Sequence, residues 1–147
     1  TIDEAMDYFK TPRIIKRVET LQKVGLSYLT LGQTTSSLSG GEVQRLKLAS
    51  HLQKEGQIYL LDEPSLGLHM KDTATLLDVF KNLVDKGNSV IIIEHHLDFI
   101  AASDWVIELG PGGGQQGGQI IFEGTPDDMF QAETLTAKWL RKGVRQK

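Results

Sequence analysis

Apolar positions recur at helical intervals through the first third of the chain, then give way to short unbroken aliphatic runs. Ile2, Ala5, Met6 and Phe9 follow a helical period behind Thr1 and Glu4, which stand at capping-box spacing. Thr11-Pro12 interrupts that run, and Pro12 suits the first turn of a second helix. The stripe of that helix is Ile14, Ile15, Val18, Leu21 and Val24, and Gly25 stops it. Past Leu29, Leu31 and the polar run 33–37, the positions of Val43, Leu46, Leu48, Ala49 and Leu52 predict a third helix. Its polar positions are Glu42, Arg45 and Lys47.

From residue 58 the period changes. Ile58, Tyr59, Leu60 and Leu61 read as a short buried strand that ends in Asp62-Glu63-Pro64, and residues 89–93 as a second that ends in Glu94-His95-His96. Residues 105–109 read as a third strand, and residues 119–123 as a strand in a small hairpin or edge element. An amphipathic helix through Ala74, Leu76, Leu77, Phe80, Leu83 and Val84 lies between the first two, ending near Gly87. A short helix over 97–102 and terminal helices over 126–131 and 133–142 complete the pattern. Buried strands alternating with helices predict an α/β fold, a parallel sheet flanked by helices behind an amino-terminal helical segment. The division falls between a helical segment, 1–56, and a sheet-bearing core, 57–147. Trp105 and Trp139 read as packing residues, and the Gly-rich 110–118 as a surface loop.

Composition narrows the class. A chain of 147 residues that is 39% hydrophobic suits one folded domain rather than a disordered segment. No aliphatic run approaches the ~20 residues of a membrane span, and the amino terminus does not resemble a signal peptide. A cytoplasmic protein without a membrane partner is therefore expected. The absence of Cys excludes a disulfide framework, a thiolate nucleophile and a Cys-based zinc site. The net charge of −3 is uneven: +2 over residues 1–57, −9 over 58–130 and +4 over 131–147. The acidic middle is poorly suited to gripping phosphodiester backbones, and the basic tail reads as a solvated helix end.

Three places carry candidate chemistry. Asp62 and Glu63 end a strand, and in open α/β sheets ligands bind at the carboxyl ends of strands. Two carboxylates there can divide labour: one holds Mg²⁺ through water while the other orients or deprotonates an attacking water. Ser39, Gly40, Gly41 and Glu42 open a helix whose first N–H groups, unobstructed by side chains, form an anion site to which Ser39 adds a hydroxyl. His95 follows the second strand, 32 residues after Glu63. Each feature alone also suits an ordinary structural role: an acidic strand cap, a helix N-cap, a surface histidine.

In order and spacing they say more. Leu38-Ser39-Gly40-Gly41-Glu42-Val43-Gln44-Arg45 resembles the LSGGQ-type signature of ABC ATPases, and the strand with Asp62-Glu63-Pro64 resembles their Walker B. Ser65-Leu66-Gly67-Leu68-His69 is similar to their D-loop and Glu94-His95 to their switch-histidine loop. Several further stretches resemble the A-subunit family of the excinuclease ABC repair ATPases. These are Gly32-Gln33, Gly67-Leu68-His69, Leu97-Asp98, Ala102-Ser103-Asp104-Trp105-Val106, Leu109-Gly110-Pro111-Gly112, Gly117-Gly118 and Glu123-Gly124-Thr125-Pro126.

This resemblance, which runs from Thr1 to about Leu140, implies the second part of an ABC ATPase domain. It implies that Asp62 binds Mg²⁺ through water, that Glu63 is the catalytic carboxylate and that His95 contacts the γ-phosphate. Ser39, Gly40, Gly41 and Glu42 would cap the nucleotide held by the other site of an assembled pair. ATP and Mg²⁺ are the implied cofactors, and zinc belongs only to regions outside these residues. Implied partners are damaged DNA, the excinuclease B subunit and a second copy, in SOS-linked nucleotide-excision repair. A bulky, charged residue at Gly41 is expected to block approach of the partner site while sparing the helix.

No G-x-x-x-x-G-K-[ST] phosphate loop occurs in the 147 residues, so the chain alone lacks half of the machinery. Two readings stay open beside the first: the ATPase segment of an ABC transporter or a non-repair paralogue, and a dimerising adaptor that hydrolyses nothing. Gly-Leu-His in the D-loop, with Asp104-Trp105 and Gly110-Pro111-Gly112, favours the repair family over a transporter.

Overall fold

The computed structural model describes every residue except Gln53, Lys54, Gln115, Gln116 and 145–147. Parts of the Gly-rich stretch and of the basic tail therefore lie outside the described residues. The chain folds as two compact units, Thr1–Glu94 and His95–Lys147.

In the first unit, α1 (Ile2–Tyr8) begins on the expected capping box, with the Thr1 side chain accepting from the Glu4 N–H and the Glu4 carboxylate returning to Thr1. α2 (Pro12–Lys23) starts at Pro12, and Gly25 (φ +72°) reverses the chain after it. Its backbone conformation favours glycine, while a Cβ there would stand 2.8 Å from Leu68 Cδ2 and ask only that this methyl shift. A single-turn 3₁₀ helix (Thr35–Ser37) leads to α3 (Gly40–His51). β1 (Ile58–Asp62) and β2 (Ser89–Ile93) then pair in parallel, joined by α4 (Met70–Asp85) as a parallel pair requires. Val18, Val24, Leu26, Leu48, Leu61, Leu76, Phe80 and Leu83 form the buried interior of this unit.

The register pairs Ile58 with Ser89 and Asp62 with Ile93, so both strands end at one level. Glu63 and Glu94, the next residues in each, leave the sheet side by side. The strands are less buried than their aliphatic composition predicts: Leu60 is 74% exposed and Ile58 69%, with Ile91 and Ile93 also exposed. Alternation along a strand sends these four to one face, and within this unit only the opposite face is covered.

In the second unit α5 (Leu97–Ala102) precedes β3 (Val106–Gly110) and β4 (Gln119–Gly124), which pair antiparallel with a register shift at Glu108/Leu109. This is the hairpin foreseen for residues 119–123, and it is separate from the parallel pair. α6 (Pro126–Gln131) and α7 (Leu135–Val144) bury Met129, Ala137 and Leu140 against Leu97, Ile100, Val106 and Phe122. α7 starts at Leu135 rather than 133 because the Thr134 hydroxyl accepts the Ala137 N–H, as a helix cap does. The packing role expected of the tryptophans is not met. Trp105 precedes β3 and is 58% exposed, and Trp139 is 53% exposed with the Lys142 ammonium over its ring.

Candidate functional site

α3 opens on an N-cap that is satisfied from both sides. The Ser39 hydroxyl oxygen accepts the Glu42 N–H, and Glu42 Oε2 accepts the Ser39 N–H. The other oxygen of Glu42, Oε1, accepts from the Tyr28 hydroxyl. Both carboxylate oxygens of Glu42 are thus engaged in holding the loop. The N–H groups of Gly40 and Gly41, in the first turn, have no carbonyl within the helix to meet.

The two glycines differ. A Cβ at Gly40 would meet nothing within 4 Å, whereas Gly41 is buried, and a Cβ there would stand 3.2 Å from the Leu66 carbonyl oxygen and 3.3 Å from Arg45 Nη1. Gly41 therefore faces the chain's own loop after β1. A bulky residue there would separate α3 from that loop, contrary to the expectation that it would act only on a partner.

Hydrogen bonding holds the Glu42 carboxylate below the usual carboxylate range, chiefly the bond from Tyr28 and then those from Ser39. Burial, and then the bond to Glu42, raise the Tyr28 phenol. A carboxylate with a lowered folded value stabilises the fold above its ordinary value, and loses that contribution as pH falls through the folded one. The Ser39 cap should accordingly weaken in acid. With Tyr28→Phe the largest cause of the shift is gone, so Glu42 should titrate at higher pH than in the unaltered chain. A carboxyl-carbon NMR titration measures both midpoints, and equal midpoints would remove Tyr28 from the loop's electrostatics.

Beyond β1 the backbone turns sharply. Glu63 adopts φ +45°, a left-handed conformation that few residues other than glycine hold without strain. Its N–H donates to the Ile93 carbonyl, and its own carbonyl accepts the Leu66 N–H. The Ser65 N–H donates to Glu94 Oε1 at 2.8 Å, so the carboxylate after β2 grips the loop after β1. Asp62 is exposed at the strand end, its N–H held by Gln44 Oε1 at 3.1 Å. Glu63 is half-buried. His95, the first residue of the second unit, is exposed.

Arg45, counted above among the polar positions of its helix, is fully buried. Its Nη1 donates to the carbonyls of Pro64 at 2.8 Å and Leu66 at 3.2 Å. The first unit thus brings the start of α3 and the Asp62–Glu63 turn into one framework, with Tyr28, Gln44, Arg45 and Glu94 supplying its fastenings. Sequence reasoning gave these four no such role, although one signal was present. Gly41 and Arg45 are four residues apart and share a helix face, which leaves a guanidinium room to reach a neighbouring backbone.

Among the described residues no group of three or more His, Cys, Asp or Glu comes together as a metal cage. An exposed Asp62 suits a magnesium ion that keeps several waters and takes one protein carboxylate. Among the same residues no helix is long and apolar enough to cross a membrane.

A parallel strand pair thus ends in Asp62 and Glu63 and is fastened to a helix that opens on Ser39-Gly40-Gly41. A family profile described as ABC transporter matches residues 5–66. The structure of a bacterial Atm1-family ABC exporter with ATP bound aligns with a TM-score of 0.61 and 25% identity, over 97% of this chain and 26% of that one. The chain thus has the fold of part of an ABC-type ATPase domain.

Within that class its similarity is to UvrA, the A protein of the UvrABC system. UvrABC system protein A of Aquifex aeolicus is 50% identical over 99% of this chain, and that of Streptococcus pyogenes serotype M1 is 47% identical over 99%. The crystal structure of UvrA2 from Deinococcus radiodurans aligns over 97% of this chain and 18% of that one, with a TM-score of 0.86 and 47% identity. The chain spans 16% of the length of the Aquifex and Streptococcus relatives.

Proposed function

We propose that this chain is a segment of the ATPase of a DNA-damage-recognition subunit in bacterial nucleotide-excision repair. It supplies the signature, Walker B and switch-histidine elements for ATP hydrolysis coupled to dimerisation and DNA binding. The observation that carries this reading is 50% identity to a UvrA protein over 99% of the chain, with the motifs in order. Residues 1–56 act as the signature segment and 57–147 as the second part of the ATPase core. Damaged DNA, the excinuclease B subunit and a second copy are the partners, in the cytoplasm and within the SOS response.

In this reading Ser39, Gly40 and Gly41 present neutral donors and a helix N-terminus to the γ-phosphate held by the opposing site. Glu42 keeps that loop in shape through Ser39 and Tyr28. Asp62 holds Mg²⁺ through water, and Glu63 orients or deprotonates the water that attacks the γ-phosphate. His95 contacts the same phosphate. Magnesium, when bound, neutralises charge on the transferring phosphoryl group.

Because most phosphate contacts in P-loop ATPases come from the loop and lysine that these residues lack, the 147-residue chain by itself should bind Mg-ATP weakly or not at all. Titration calorimetry of the chain tests this. Affinity at the ~1 μM level, worth about 8 kcal/mol, would mean that the nucleotide is held by other residues and would overturn the site assignment.

A further inference from the structure

We propose that Arg45, assisted by Gln44, is a positioning residue that fastens the signature helix to the turn bearing the catalytic carboxylate. The proposal rests on the ATPase reading above and adds to it the means by which the two motifs are held in register within one chain.

The geometry is specific. Arg45 is the largest fully buried side chain among the described residues, and a single nitrogen of its guanidinium bonds two backbone carbonyls, those of Pro64 and Leu66. Both residues lie in the loop that begins at Glu63. One residue earlier on the helix, Gln44 accepts the N–H of Asp62. α3 therefore holds the turn at Asp62, Pro64 and Leu66, on both sides of Glu63. Gly41 makes the approach possible, since its missing side chain leaves only 3.2 Å between an ideal Cβ position and the Leu66 oxygen.

Other features mark this as a positioning contact rather than general packing. Nε and Nη2 of Arg45 are buried with no hydrogen-bond partner among the described residues. Burying a guanidinium incompletely satisfied is unfavourable, and a methionine or leucine would fill the space at lower desolvation cost. What those residues cannot do is donate to two carbonyls. The turn needs such holding because Glu63 sits at φ +45°, a conformation kept only where surrounding contacts over-determine it. Arg45 and Gln44 supply those contacts from the helix side, and Glu94, through the Ser65 N–H, from the strand side. The helix that presents Ser39 and Gly40 outward is thus the same rigid element that sets the carboxylate turn.

The test compares Arg45→Met, which keeps volume without donors, with Arg45→Lys, which keeps one donor group. In the full-length ATPase, Arg45→Met should lower kcat about tenfold or more while KM for ATP stays near its original value, because a carboxylate displaced by a fraction of an ångström still permits binding. Arg45→Lys should recover part of the loss. Amide hydrogen exchange should quicken at Leu66 and Leu68, whose N–H groups close the turn, and not through α1 or α4.

Gln44→Leu, which disturbs the core less, should give the same split more mildly, so the test survives if Arg45→Met fails to fold. Unchanged kcat in folded Arg45→Met, or exchange quickened evenly across the first unit, would overturn the proposal. No ATP turnover in the unaltered protein would instead overturn the ATPase reading. The exchange pattern measures the fastening separately.

Discussion

Glu63→Gln is expected to lower ATP turnover of the full-length protein by roughly 10²–10⁴-fold, the range that general-base catalysis supplies, while leaving nucleotide binding largely intact. The amide keeps the size and most hydrogen bonds of the carboxylate but cannot take a proton from, or align, the attacking water in the same way. The turn should survive the change, because its fastenings run through backbone groups: the Glu63 N–H to Ile93, and the carbonyls of Pro64 and Leu66 to Arg45. Asp62→Ala should behave differently. Its backbone N–H still meets Gln44, so the loss is confined to the exposed carboxylate and should show as weaker magnesium-dependent binding. Steady-state turnover of Glu63→Gln within a factor of a few of the unaltered protein would refute the assignment, as would identical phenotypes for the two neighbours.

The second large effect separates the two glycines of the signature. Gly40→Glu places an anion where a γ-phosphate is expected, in a position where an added side chain meets nothing of its own chain. Negative charge in the first turn also favours the helix. Thermal unfolding of the chain should therefore be unchanged or slightly raised, while hydrolysis at the site facing this loop falls about a hundredfold, the scale of losing one preorganised donor. Gly41→Glu must instead force α3 away from the Leu66 carbonyl and Arg45, so it should destabilise the chain by about 1–3 kcal/mol as overpacking does. Unfolding midpoints paired with single-site turnover, the second ATPase site being disabled, distinguish the cases. Full turnover by Gly40→Glu would show that the loop is only a helix cap.

Much of this arrangement was readable because helix starts and strand ends are written in neighbouring residues. Thr1 with Glu4, Ser39 with Glu42, and Asp62-Glu63 closing an aliphatic run each declare themselves within a few positions. The role of Arg45 did not, because its acceptors are main-chain carbonyls 19 and 21 residues away, and carbonyls are the same in every sequence. Nor did the bare face at Ile58, Leu60, Ile91 and Ile93, since aliphatic composition tells what a strand is suited to bury and not what lies against it. The exposed Trp105 and Trp139 misled for the same reason. Gly41 looked like one of an equivalent pair until the loop it touches was seen.

The left-handed backbone at Glu63 sets two demands against each other at one position. The main chain there would be more comfortable as glycine or asparagine, which enter that region at little cost, while the proposed chemistry requires a carboxylate on a longer arm. Selection for thermal robustness alone would drift this position toward glycine and discard turnover without any penalty in folding. A stabilising substitution at residue 63 is therefore the one gain in stability that should be read as damage.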